Sequence, residues 1–534
     1  MRRQTAKLCC FVSIWLTVLA CQQAISAEAT AAGLAPPAGK SVPDQIAELE
    51  AIEQKSFDVL VRLALLNGKL HDQQGYERWL AEAAKADPSK VFTSERSPFI
   101  YVRVWSQPRQ DRLANHVVRE GGGVFYSVLS DGRVWGVTRI DPLQQELRPI
   151  QVHEIKAEWA SSLGVGYDRK FHLANQGITF AFTPEAEYLG QMVCMNRHKL
   201  LGSNTLQCAL DDDTFYIADH YRHIGIMNWH ADTLKRMVLT AKDASSTVAR
   251  LDDDKDRYIY AAITGENAVA IIRPDLTERC RIGGPGTQHG QMLAIMDISA
   301  ANTTFVALDS SLRRIQVFDK NGAWLMEMPS TGFSLAIADD GTIVALEDSN
   351  ISCYMRLCKP EGGQYEPEFR SYLDAVKLLE EGKLDEGRAL LKPLTASTDF
   401  NLAQVAASLM QNDTLALVRH YEKPRPLTDA EIVRLLNAGR AGATTAAIRV
   451  EPGRIFRDAI QRSIWVVING GFLRRVDEWE RVTSFDEFPR LHGLEGKLTV
   501  NDMRFDNDWV WAETSRGVCR YSRSDGDWQF IRKK

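Results

Sequence analysis

The sequence lacks the marks of several common protein classes. No two cysteines have CxxC spacing, and neither a GxSxG nor an HExxH motif occurs, so the usual zinc, redox and hydrolase signatures are missing. The 64 basic and 69 acidic residues nearly balance, which leaves a formal charge of -5 over 534 residues. We therefore expect no nucleic-acid partner. The sequence also predicts no catalytic residue, no metal site and no cofactor.

Long apolar runs are scarce, and one of them lies near the N-terminus. A basic segment at residues 1–7 precedes an apolar run at 8–20, which is short for a membrane span. Small residues follow and offer a cleavage site after Ala27 or Ala29. This pattern predicts a signal peptide at 1–27 and export to the periplasm or the extracellular space.

Residues 18–21 also resemble a bacterial lipobox, which would place a lipid on Cys21 and supply the chain's one membrane attachment. Leu19 is bulkier than the small residue usual at that position. A cleaved signal and a lipoprotein anchor therefore remain alternatives.

The segment after the signal changes character twice. Residues 28–44 are rich in Ala, Gly and Pro and predict a disordered linker. Residues 45–88 carry apolar side chains at helical spacing, interrupted at Asn67 and Gly68, and predict a helical hairpin. The run from Phe99 to Trp105 is aromatic and β-branched and predicts a strand.

A short β-rich run recurs along the rest of the chain. Its eight copies end at residues 138, 175, 219, 263, 309, 347, 468 and 514, so successive copies lie 37, 44, 44, 46 and 38 residues apart, and the last two 46 apart. A period near 40 to 45 with four short strands per unit is typical of β-propeller blades. The pattern predicts a mainly β protein: a β-propeller of about six to eight four-stranded blades in a single ring.

Turn chemistry agrees with this repeat. In DKNG, residues 319–322, Asn321 tolerates and Gly322 favours positive φ, which suits a tight reversal between strands. A ring also needs closure, because an open propeller would expose a sheet edge. We expect the strand 99–105 to close it by pairing with residues 528–531.

Several segments resemble known repeat families. DSSLRRIQVFDKNG at 309–322, with IGGPG at 282–286, resembles an NHL repeat, and residues 219–224 resemble a weaker copy. WAETSRGVCRY at 511–521 resembles the propeller repeats of two-component-regulator sensor proteins. Both resemblances imply a propeller.

The repeat is interrupted between the copies that end at 347 and 468. The intervening residues 366–446 carry helical periodicity, resemble a TPR hairpin, and include a capping-box pattern at Thr428 and Glu431. They predict a helical insertion between a first propeller segment at 99–365 and the last blades at 447–534.

The NHL resemblance implies one specific alternative, because some such propellers are enzymes, including a lyase that holds zinc with three histidines near the channel. His172, His220 and His223 provide at most a partial set. An exposed turn residue is the simpler interpretation of His223. Likewise, the acidic run at 252–256 lacks the spacing of an EF-hand and favours a turn between strands.

Recognition groups are a better prediction for the turns. Arg and Tyr dominate binding hot spots, and the predicted binding residues are Tyr221, Arg222, His223, Arg313 and Arg314. We therefore expect an exported scaffold that binds a protein or a glycan. A propeller hydrolase or lyase acting at the central channel, and a ligand-sensing propeller, are the alternatives. The sequence does not specify the oligomeric state.

Overall fold

The computed structural model describes residues 41–531 except 71, 109–115, 120–124, 131–134, 152–161, 166–170, 176–177, 183–187, 194–205, 210–213, 219–222, 229–232, 241–245, 255, 257, 302, 360–364, 416–426, 439–449, 460–462, 469–471, 477–481, 486–498, 507 and 523–527. The predicted signal peptide and most of the predicted linker lie outside these residues. The chain divides into two compact units, the first ending at Ala86 and the second beginning at Asp87. Among the described residues, no helix is long and apolar enough to cross a membrane.

The first unit is helical, with α1 at Val42–Glu50, α2 at Phe57–Lys69 and α3 at Gln73–Ala86. The last two form the predicted hairpin, but the break predicted at Asn67 and Gly68 is wrong, since both lie inside α2. The Asn67 side chain donates to the Leu63 carbonyl at 2.7 Å and is therefore satisfied within the helix. A Cβ on Gly75 would lie 2.1 Å from the Asn67 Oδ1, so a glycine lets α3 approach α2 closely.

The second unit consists mainly of antiparallel sheets. The first two strands are β1 (Val91–Phe92) and β2 (Phe99–Pro108). Blade 1 comprises β3–β6 (His116–Arg119, Phe125–Ser130, Trp135–Asp141, Glu146–Gln151), blade 2 β7–β10 (Ser162–Val165, Phe171–Asn175, Ile178–Phe182, Tyr188–Val193), and blade 3 β11–β14 (Leu206–Ala209, Thr214–Ala218, His223–Asn228, Thr233–Val238). Blade 4 comprises β15–β18 (Val248–Asp253, Ile259–Ile263, Ala268–Ile272, Glu278–Gly283), blade 5 β19–β22 (Ile295–Ala300, Thr304–Asp309, Arg314–Asp319, Trp324–Pro329), and blade 6 β23–β25 (Gly332–Ile337, Ile343–Glu347, Asn350–Cys358) together with β2 and β1.

These blades form a closed ring. Their first strands contact one another in the order β3, β7, β11, β15, β19, β23 and back to β3, which is the arrangement of a propeller around an axis. The predicted β-propeller is confirmed, and the described part of the chain places six blades in the ring. The expectation that the C-terminal blades belong to the same ring is wrong, because blade 6 already contacts blade 1.

The ring is closed by the strand that the sequence indicated, but with another partner. β2 pairs with β25 from Phe99 opposite Cys358 to Pro108 opposite Asn350. The predicted pairing with residues 528–531 is therefore wrong. The long β25 offers β2 a full-length edge, and Tyr101 and Val102 of β2 are completely buried there. An N-terminal strand thus completes the last blade of the ring.

Two further four-stranded sheets follow the ring in sequence. They comprise β26–β29 (Val450–Asp458, Ser463–Ile468, Phe472–Val476, Val482–Phe485) and β30–β33 (Val500–Phe505, Trp509–Thr514, Gly517–Ser522, Trp528–Ile531). The sheets share one core, in which the rings of Trp465, Phe485, Tyr521 and Trp528 lie 5.2 to 6.1 Å apart. The other face of the β26–β29 sheet packs against the helix Asp429–Ala438.

The predicted helical insertion is present. Its helices are α4 (Pro367–Glu380), α5 (Leu384–Leu394), α6 (Phe400–Leu409) and α7 (Asp429–Ala438). The first three share a hydrophobic core with blades 4 and 5, whereas Ile432 of α7 packs with Val466 of the β26–β29 sheet. Gly387 of α5 lies against Leu379 of α4, where a Cβ would be 2.7 Å from the Leu379 Cγ.

Candidate functional site

The predicted binding residues lie in different environments. Tyr221 and Arg222 lie outside the described residues, and His223 is the half-buried first residue of β13 in blade 3. Arg313 is exposed in the turn before β21, with a φ of 51°. Arg314 is 8% exposed: it pairs with Glu327 at 2.5 Å and donates to the Gln291 carbonyl at 2.9 Å.

The residues in that prediction are therefore not one constellation in the described structure. Arg313 and Arg314 are adjacent in sequence, but only Arg313 presents its side chain to solvent. Arg314 holds the loop after blade 4 against blade 5. A role of this set in binding stays a prediction.

The two described histidines of the zinc alternative lie apart from the inner strands. His172 is buried in β8, the second strand of blade 2, and His223 begins the third strand of blade 3. His220 lies outside the described residues. In the portion of the chain that the structure describes, no group of three or more His, Cys, Asp or Glu side chains is placed to hold a metal ion.

The inner strands are instead linked by two aspartates, of which Asp297 is buried and Asp252 is half-buried. Asp297 of β19 accepts from the Ser334 hydroxyl at 2.5 Å and from the Leu335 amide at 3.0 Å on β23, and the Val117 amide of β3 donates to Ser334. Asp252 of β15 accepts from Ser299 of β19 at 2.6 Å. These bonds join blades 4, 5, 6 and 1 around the channel.

Asp297 makes the stability that these inter-blade hydrogen bonds contribute depend on pH. Burial raises the pKa of Asp297 to about 6, although the charge of Arg250 and the Ser334 hydroxyl act to lower it. A carboxyl whose pKa is raised on folding binds its proton more tightly in the native state, so its contribution to stability grows as the pH falls through 6 and is lost as the pH rises through 6.

We expect Asp297→Asn to remove this dependence. From pH 5 to pH 7.5, the free energy of unfolding of the unmodified protein should fall by about 1 kcal/mol more than that of the variant, since one pKa unit corresponds to about 1.4 kcal/mol. Urea unfolding at both pH values measures it, with Asp385→Asn on the exposed surface of α5 as control. A difference that does not change with pH would contradict the assignment.

The residues 319–323 form a turn between β21 and β22 that we call the anchor turn. Asp319 accepts from the Tyr372 hydroxyl of α4 and from the Ala323 amide. Asn321 accepts from the Leu415 amide at 2.8 Å and donates to the Leu415 carbonyl at 3.0 Å. The anchor turn is therefore attached to the helical insertion through the side chains of both Asp319 and Asn321.

Lys320 of the anchor turn reaches the neighbouring blade. Its ammonium lies 2.9 Å from Asp254 and 2.7 Å from Asp256, and both Lys320 and Asp254 are almost completely buried. Burial acts to lower the pKa of Lys320, but the two carboxylates outweigh it and raise the pKa above its ordinary value. The acidic run of blade 4 thus begins in β15, at Asp252 and Asp253, and only its later residues Asp254 and Asp256 form the ion-paired turn.

The insertion also covers outer strands of the ring. On α6, Asn401 accepts from the Trp324 amide at 2.6 Å and donates to the Gly322 carbonyl at 3.0 Å. Gln404 bonds both backbone groups of Gly283, the end of β18, at 2.8 and 3.0 Å. Side-chain amides therefore satisfy backbone groups at the edges of blades 4 and 5, which limits unwanted strand pairing there.

Arg96 binds the insertion at two further points. Its guanidinium donates to Glu366, just before α4, at 2.6 Å and to Asp399, just before α6, at 2.7 Å. Arg96 is 7% exposed, and its charge-assisted bonds tie the segment before the closing strand to the insertion. The insertion is consequently held at several points, so it is presented in a fixed orientation.

A second surface, the Trp–Arg face, lies on the outer side of the β30–β33 sheet. It comprises Trp509 and Trp511 of β31 and Arg520 of β32, which alternate with buried residues and are half-exposed. The Arg520 guanidinium lies 3.9 Å from the centre of the Trp509 ring and 5.8 Å from that of Trp511. The Trp511 indole donates to Asp506 at 2.7 Å, which fixes its orientation.

Comparison with known proteins gives little beyond this geometry. No protein-family model and no curated protein matches the chain. Among solved structures, a streptogramin B lyase is 8% identical with a TM-score of 0.36, covering 49% of this chain and 99% of its own. Virginiamycin B lyase from Staphylococcus aureus is 10% identical with a TM-score of 0.35, covering 50% and 93%. At these scores the likeness supports no conclusion about activity.

Proposed function

We propose that the chain is an exported scaffold that binds a protein partner on its helical insertion. Cleavage after Ala27 or Ala29 would give a mature chain that begins at Glu28 or Thr30, with lipidation of Cys21 as the alternative. The proposal retains the resemblance of the insertion to TPR hairpins, a form that presents helices to peptides.

The observation that carries the proposal is a pair of exposed leucines on α5. Gly387, Leu391 and Leu394 on one side are buried against the rest of the insertion. Leu384 and Leu390 lie at the two borders of this buried side and are 48% and 37% exposed. Large apolar side chains on a firmly mounted helix are the kind of feature that an interface buries.

The test is a double substitution on α5, Leu384→Asp with Leu390→Asp, in the full-length chain. Tagged protein is cross-linked to the exported fraction of its source cells, and the captured proteins are identified by mass spectrometry. We expect the substitution to reduce capture of a specific partner at least tenfold, because charges would then have to be buried in the interface.

Lys392→Glu on the same helix is the matched control, since Lys392 is exposed and not apolar. It should leave the capture unchanged. Equal capture by the double variant and the unmodified chain, at equal melting temperatures, would overturn the assignment of the partner surface to α5. If both variants captured glycans as the unmodified chain does, and no specific protein were captured, the proposal of a protein partner would be contradicted.

A further inference from the structure

The Trp–Arg face carries an inference separate from the helical insertion. We propose that it binds an acidic peptide segment of a partner protein, with Arg520 receiving a carboxylate beside the two indole rings. The proposal does not depend on α5, because the face lies on the β30–β33 sheet, which packs through its other side on the β26–β29 sheet.

The charge of Arg520 is the first step of the argument. Its Nε donates to Gln529 at 2.9 Å, and its guanidinium stacks on Trp509. Within the described residues, no carboxylate pairs with Arg520; Asp506 is bonded to the Trp511 indole. The planar guanidinium therefore keeps donors available, and its geometry suits bidentate pairing with a carboxylate.

The surroundings strengthen that interaction. An indole beneath the guanidinium excludes water from one side and fixes the plane of the donors. Trp and Arg are also the side chains most enriched in binding hot spots. A cation held in this way is complementary to an anion that arrives with apolar neighbours, as a peptide carboxylate does.

Strand register sets the spacing of the ligand. Arg504, Trp511, Arg520 and Gln529 lie opposite one another on β30, β31, β32 and β33 and form a single row. Arg504 is 80% exposed at one side of Trp511, and Arg520 lies at the other. Two strand spacings of about 4.8 Å separate the two arginines. Side chains two positions apart in an extended peptide point to the same side and lie about 6.6 Å apart, a difference that the long arginine side chains can span.

The expected ligand is therefore an extended segment with two acidic residues two positions apart, so that both carboxylates face the sheet, and an apolar residue between them. Arg504 also faces Asp502 at 3.6 Å, but that pair is exposed on both sides, so a ligand carboxylate can compete with it. The primary contact is assigned to Arg520 and the secondary one to Arg504.

The probe is the peptide acetyl-Glu-Leu-Glu-Tyr-amide, titrated into the full-length chain by calorimetry. We expect saturable binding that weakens with added salt and that falls at least tenfold when both glutamates are replaced by glutamine. Arg520→Gln should lower the affinity about tenfold or more. Arg520→Lys should give an intermediate loss, because lysine keeps the charge but lacks the planar donors that allow bidentate pairing.

Arg516→Gln is the matched control, since Arg516 is exposed in the turn between β31 and β32. It should bind as the unmodified chain does, and so should the α5 double variant, which separates this proposal from the proposed function. The inference is overturned if Arg520→Gln binds the peptide equally well, if the glutamine peptide binds equally well, or if no saturation is reached at millimolar peptide. Binding of an oligouronate but not of the peptide would also overturn the assignment of a protein partner.

Discussion

Replacing Lys320 with methionine is expected to lower the free energy of unfolding by about 3–5 kcal/mol, the range observed when one partner of a buried ion pair is removed. Methionine fills a similar volume, so the loss reports the charge. Asp254, which is completely buried beside the ammonium, would keep a carboxylate without its cation. Urea unfolding followed by circular dichroism measures the effect.

The pH dependence of this loss tests its cause. Burial raises the pKa of Asp254 even with Lys320 present, and removal of the ammonium raises it further. Protonation then neutralises Asp254, so the destabilisation should be smaller at pH 5 than at pH 8.

Two comparisons complete this experiment. Asp254→Asn combined with Lys320→Met should recover part of the loss, because the buried charge is gone. Lys383→Met removes a lysine whose pair with Glu381 is exposed and should change the stability by less than about 0.5 kcal/mol. A Lys320→Met protein as stable as the unmodified chain would show that the anchor turn does not depend on this pair.

Val102→Asp in the closing strand is expected to cost at least about 4 kcal/mol, because Val102 is completely buried opposite Met355. A carboxylate there must either protonate or separate β2 from β25. Loss of that pairing opens blade 6, so we expect exposure of the edge of β25 as well as a lower melting temperature. Denaturant unfolding and limited proteolysis measure the two effects.

Ser106→Asp provides the control on the same strand. Ser106 is exposed, although its hydroxyl lies 3.0 Å from that of Ser352. Its replacement should change the stability by about 0.5 kcal/mol or less, as surface substitutions usually do. If the two variants were equally stable, the ring would not depend on closure by β2.

The sequence predicted the propeller because blades repeat a local pattern. Each copy of the β-rich run is one strand that must pair with its sequence neighbours, so its spacing reports the architecture directly. Closure is a different matter: the strand at 99–105 was identified by its composition, but nothing in composition distinguishes residues 350–358 from 528–531 as its partner. That choice depends on where the sixth blade completes the circle.

The candidate sites differ in the same way. The sequence predicted the reversal at Asn321 and Gly322, and Gly322 indeed has a φ of 98°. It did not predict that Asp319, Lys320 and Asn321 hold the insertion and blade 4, since their partners are distant in sequence. Alternation of Trp511 and Arg520 with buried residues was the available signal for the Trp–Arg face, but it becomes meaningful only once the strands are registered.

Closure by an N-terminal strand also orders the events of synthesis. β2 is made before any blade of the ring, yet its partner β25 is completed only after five blades have been translated. During that interval the apolar side chains of β2 have no native neighbour on β25. A nascent chain that stops before residue 350 cannot finish the circle, so the ring can close only after β25 has been synthesised.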